Sequence, residues 1–188
     1  MNRLRFLILA GISAIAVGCA DYDAVAPATN SPKSFSVAID DSVSVVQRSV
    51  ATTATSVTRV IGVSGGVISI DDVVTLTIPV GALTQPTAIT INIPAGQDVA
   101  AEFLPHGLKF RRPVSVAFNL AGTAAENAGV DDPFGGTYSS ELPRNGKAKA
   151  QEAFLLTVHN KVATLQTLHF STYEISFLWL KGFILVGG

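Results

Sequence analysis

His169, Phe170 and Ser171 stand consecutively near the end of a 188-residue chain. They form the one constellation whose residue types suggest a mechanism. A serine hydroxyl becomes a nucleophile when a neighbouring base takes its proton, and imidazole is a suitable base. The triplet equally fits a plain strand end, with Ser171 and Tyr173 alternating with Thr172 and His169 bonding at the edge. Other chemistry has less support. His106, His159 and His169 lack the close spacing of metal ligands. Asp71-Asp72 and Asp131-Asp132 suit turns better than calcium loops, because no further acidic ligands follow at regular spacing. Gly65-Gly66 and Gly135-Gly136 lack the strand-to-helix context of a phosphate loop. No pair of carboxylates stands out. No cofactor, no metal and no ordinary enzymatic activity are expected.

The remaining reactive group is Cys19, the single cysteine. Arg3 and Arg5 precede twelve mostly apolar residues, 6–17, and then small residues lead to the cysteine. A basic start, a short apolar run and a small-residue site make a secretory signal. A spanning helix would need about 20 apolar residues, and Asp21 and Asp23 arrive too early for that. Ala16-Val17-Gly18-Cys19 resembles the lipobox of bacterial lipoproteins, which implies a diacylglyceryl group on Cys19 after removal of residues 1–18. A lone exported thiol has no partner for an internal disulfide, and lipidation would account for it. More than one acyl chain anchors stably. The expected location is therefore the cell envelope, on the periplasmic or surface face of a membrane.

These groups must be positioned by β-structure. Val, Ile and Thr are abundant and helix-period apolar patterns are scarce. Val74, Leu76 and Ile78 alternate with Thr75 and Thr77, Ile89, Ile91 and Ile93 with Thr90 and Asn92, and Val114, Val116 and Phe118 with Ser115 and Ala117. Asp71-Asp72 reads as a two-residue turn after a strand at 67–70. Phe154, Leu156 and Val158 lead to a tight turn near His159-Asn160, and 162–168 returns. Short strands with one apolar face each predict an all-β fold, a two-sheet antiparallel sandwich over 57–188. Residues 19–56, rich in Ala, Ser, Thr and Val, read as a tether reaching roughly 30–35 Å. Within it, Phe35, Val37 and Ile39 alternate like a strand that joins the domain's own sheet. Residues 121–150 read as a polar insertion, a large loop. The apolar stretch 177–186 is too short to span a bilayer and reads as an extra strand or an exposed docking edge. A net charge of −1 without a Lys/Arg run points away from nucleic acid.

The order of three pieces resembles the ZU-five domain, the module of zonula occludens proteins, netrin receptors and ankyrins that is also found in bacterial lipoproteins. The first is Gly65-Gly66 with 74–83 and Ile89-Thr90-Ile91. The second is Pro105-His106-Gly107-Leu108-Lys109-Phe110 with Arg112-Pro113-Val114, and the third is His169-Phe170-Ser171-Thr172-Tyr173. The resemblance covers roughly residues 57–177. It implies a binding or structural module with a protein partner. Some relatives cut themselves between the Phe and the Ser, so it also implies a second possibility, autoproteolysis at Phe170–Ser171 with His169 as base. A surface adhesin or glycan binder is a third. The leading expectation is a membrane-anchored, non-enzymatic interaction module.

Overall fold

A computed structural model describes residues 34–35, 43–127, 134–154 and 156–177. Residues 1–19, Val37 and Ile39, Asp131-Asp132, and 178–186 lie outside the described residues. In chain order the strands are β1 (Ser34–Phe35), β2 (Val43–Val45), β3 (Gln47–Thr52), β4 (Thr55–Ile61), β5 (Gly66–Ile70), β6 (Val74–Ile78), β7 (Thr87–Ile93) and β8 (Gly96–Asp98). There follow β9 (Ala100–Leu104), β10 (Lys109–Asn119), β11 (Phe134–Ser139), β12 (Lys147–Ala148), β13 (Glu152–Phe154), β14 (Thr157–His159), β15 (Val162–His169) and β16 (Thr172–Phe177). The fold is all-β, without a helix among the described residues.

Two antiparallel sheets make the sandwich. The larger runs β1-β13-β11-β16-β9-β7-β4, with β2 and β12 continuing from β16, and the smaller runs β14-β15-β10-β6-β5. β3 and β8 form a separate ribbon. Each alternating segment sends its apolar side inward, as a period of two requires. Ile68, Leu76, Val116, Phe118 and Leu165 from the smaller sheet meet Ile89, Ile91, Phe103, Tyr173 and Ile175 from the larger one in a single core.

Several boundaries differ from the sequence expectation. The segment read as a tether to residue 56 is part of the fold from Val43, through β2, β3 and the start of β4. The strand-like start of the alternating segment, Ser34–Phe35, pairs with β13. The turn after β5 spans Asp71, Asp72 and Val73, with Asp72 at φ 42° and Val73 N–H donating to Ile70 O. The segment around Phe154 and Val158 is two strands, because β13 belongs to the larger sheet and β14 to the smaller. Asn160 and Lys161, both at positive φ, turn the chain from β14 into β15.

The largest change concerns 121–150. β11 lies inside this stretch and is an interior strand of the larger sheet, between β13 and β16. After Ser139 the chain crosses from the β11 side of β16 to its other side, where β12 pairs with β2. It then returns to pair as β13 along the opposite edge of β11. Residues 140–151 are thus a strap over the sheet face that points away from the core.

Candidate functional site

The three motif pieces converge. Arg111 N–H donates to Ala82 O, joining the first piece to the second. Gly107 N–H donates to Phe170 O and Phe170 N–H to Leu108 O, joining the second to the third, and Phe103 N–H, on β9 just before the second, donates to Ser171 O. Gly65 and Gly107 both sit at φ 74°. A Cβ on Gly65 would lie 2.2 Å from Ile78 O, so only glycine fits that approach.

Within the triplet, Phe170 is 1% exposed and packs on Phe103 and Phe110, at ring centroid distances of 5.5 and 4.7 Å. Ser171 is buried, and its hydroxyl donates to Ser139 O at 3.0 Å. His169 faces the other way. Its Nε2 lies 3.4 Å from Glu152 Oε2, and its Nδ1 lies 3.3 Å from the Tyr173 hydroxyl. Tyr173 donates to His169 O at 2.6 Å, and its oxygen is 2.7 Å from Thr167 Oγ1. Burial holds the Tyr173 phenol protonated well above the ordinary range, against the opposing effect of the Thr167 bond. The Phe170 carbonyl has a backbone donor in Gly107, while the Ser171 hydroxyl and the His169 ring have separate partners. None of the three residues has a positive φ.

Of the other sequence candidates, His106 pairs with Glu102 at 3.2 Å and His159 sits exposed on β14. Among the described residues no group of three or more His, Cys, Asp or Glu side chains converges.

The strap holds what the sequence reading missed. Tyr138, Tyr173 and Ile175 point into the core, so Thr137, Ser139, Thr172, Glu174 and Ser176 point out, yet all five are buried. Thr137 stands opposite Glu174, and Ser139 opposite Thr172. Ser139 and Thr137 hydroxyls lie 2.9 and 3.0 Å from Glu174 Oε1. Burial pushes the Glu174 carboxyl up to about 8, with the two hydroxyls opposing the shift and the Asp98 charge adding to it. A charged residue inside the run Tyr173-Glu174-Ile175 was the available signal for this cluster.

The strap forms a cleft of about 440 Å³ lined by Arg144, Lys147 and Lys149, with Glu141, Leu142 and Gln151 among its walls. Asn145 and Gly146, at φ 53° and 70°, turn it back on itself. Asn-Gly between extended residues is a strong hairpin signature, and it was legible in the sequence.

Comparison with protein-family models and with curated proteins finds no match for this chain.

Proposed function

We propose that this chain is an exported, non-enzymatic binding module, lipid-anchored through Cys19, whose sandwich is of the ZU-five type. The reading of the anchor rests on the basic, apolar and small-residue sequence of 1–18 ending at the only cysteine. The ZU-five reading rests on the three motif pieces and is supported by the backbone bonds that join them. One observation speaks against the autoproteolytic alternative: the Ser171 hydroxyl donates to Ser139 O while both His169 ring nitrogens face Glu152 and Tyr173. A hydroxyl committed to a backbone acceptor does not hand its proton to an imidazole with other partners. The triplet therefore serves as a clamp between the second motif and β16.

Radiolabelled palmitate tests the anchor. Label should enter the wild-type chain in the membrane fraction and be absent from a Cys19→Ala variant. A soluble, unlabelled wild-type protein would overturn the anchor reading.

A further inference from the structure

Three of the chain's thirteen Lys and Arg residues stand within the six positions 144–149, and all three line one cleft. Arg144 and Lys147 are direct partners in an antiparallel bridge, with Arg144 N–H donating to Lys147 O and Lys147 N–H to Arg144 O. Directly opposite residues share a face, and like charges in that position are destabilising. Lys149 lies two residues beyond Lys147, which returns it to the same side of an extended chain. A local rule broken in this way marks a site where something compensates elsewhere.

The cleft contains little that compensates. Lys147 Nζ donates one bond to Ser44 Oγ at 2.7 Å, which leaves two of its three protons for another acceptor. Glu141 is the single acidic residue of the lining, and among the described residues no ion pair involves Arg144, Lys147, Lys149 or Glu141. The base beneath the cations is firm. β12 is bonded to β2, and Val43, Val45, Ala148 and Ala153 form a small apolar cluster under it.

We infer that this cleft binds an acidic carbohydrate, with its carboxylate or sulfate oxygens on Arg144, Lys147 and Lys149. This deepens the reading of the chain as a binding module and rests on it. A guanidinium offers a planar fork that matches a carboxylate or sulfate, and the two ammonium groups add charge-assisted donors. The volume falls within the range of small-ligand sites. Leu142 provides apolar wall for the C–H face of a sugar ring, while Ala148 and Ala150 pack into the cluster beneath, and Ser140 and Gln151, bonded to each other at 3.3 Å, provide hydroxyl and amide partners. A flat anionic membrane does not enter a concave site, which favours a soluble chain of sugars over a lipid surface.

Titration calorimetry of the full protein with tetragalacturonate, and with a sulfated disaccharide, tests the proposal. At least one should bind saturably, the galacturonate only as the free acid and not as its methyl ester. Binding should weaken steeply as salt rises from about 50 to about 500 mM. Arg144 and Lys149 are exposed, so Arg144→Ala/Lys149→Ala should keep its melting temperature and lose affinity by about 10-fold or more. Unchanged affinity in the double variant, or no binding of either sugar, would overturn the site. Equal binding of polyglutamate would overturn the carbohydrate assignment, and preferential binding to phosphatidylglycerol vesicles would replace it with a membrane surface. None of these results alters palmitate labelling, so a failed site and a failed anchor are distinguishable.

Discussion

Ser139 and Glu174 meet beneath the strap with the serine Oγ at 2.9 and 3.0 Å from the two carboxyl oxygens, and the same Oγ lies 3.0 Å from Glu141 O. A hydroxyl has one proton to give. A carbonyl only accepts, so the full set of contacts is satisfied when Ser139 donates to Glu141 O and a protonated Glu174 donates to Ser139. Thr137 completes the other half, with its Oγ1 at 2.8 Å from Ser176 Oγ and 3.0 Å from Glu174 Oε1. Ser176 donating to Thr137, and Thr137 to Glu174, gives each of these protons an acceptor, and Thr172 Oγ1 on the same buried face is left without a partner among the described residues. The neutral acid therefore fits a site that is closed to water.

The pH dependence follows with a definite sign. The folded chain keeps the Glu174 proton up to about pH 8, whereas the ordinary value is 4.5. Between those limits the folded state binds more protons than the unfolded one, so this group's contribution to stability falls as pH rises. The slope approaches about 1.4 kcal/mol per pH unit and vanishes outside the window. Urea denaturation at about pH 5 and about pH 8 should show a steeper decline in wild type than in Glu174→Gln, which mimics the neutral form. Parallel profiles would refute the assignment.

Gly136 lets the larger sheet approach the smaller one. A Cβ there would stand 2.8 Å from Leu165 Cδ2 and 3.1 Å from Leu156 Cδ2, and Leu165 is a buried core residue. Gly136→Ala should overpack the interface and cost about 1–3 kcal/mol in denaturant unfolding. A neutral result would mean that the leucines move aside freely.

Arg48 is an internal cost. It is buried, its Nη1 makes one long bond of 3.4 Å to Asn119 O, and its Nε and Nη2 have no partner. Desolvation accordingly lowers its pKa. Arg48→Met keeps the stem and removes the unpaired donors, and should raise stability by about 1–2 kcal/mol. A loss of similar size would show that the guanidinium has a partner that the contacts among the described residues omit.

Ser171→Ala removes a buried bond to Ser139 O and should cost about 1 kcal/mol in thermal or denaturant unfolding. It should leave the polypeptide mass pattern of the wild type unchanged apart from the lost oxygen. Appearance of a cut at Phe170–Ser171 in wild type and not in the variant would restore the autoproteolytic reading.

The core strands were legible because their inward side is apolar and their outward side meets water. Val74, Leu76 and Ile78, like Ile89, Ile91 and Ile93, are buried in alternation with more exposed residues. β11 broke that code. Its outward residues Thr137 and Ser139 are polar and yet buried, and Gly135-Gly136 reads as a turn unless the close approach to Leu165 is known. β3 hid for another reason: 47–52 has no apolar alternation, only Arg48 of its residues is buried, and it pairs with three-residue β8 outside the two main sheets. The His169-Phe170-Ser171 triplet was visible as a motif, but where its hydroxyl points depends on Ser139, more than thirty residues earlier in a stretch that read as loop. The cationic cleft needed only the Asn-Gly turn between Arg144 and Lys147.

The most direct test of the central claim is the intact mass of the protein extracted from membranes. The mass should correspond to a chain that begins at Cys19, bears a diacylglyceryl group and has an uncut Phe170–Ser171 bond. A mass with no lipid on Cys19, or a chain ending at Phe170, would contradict it.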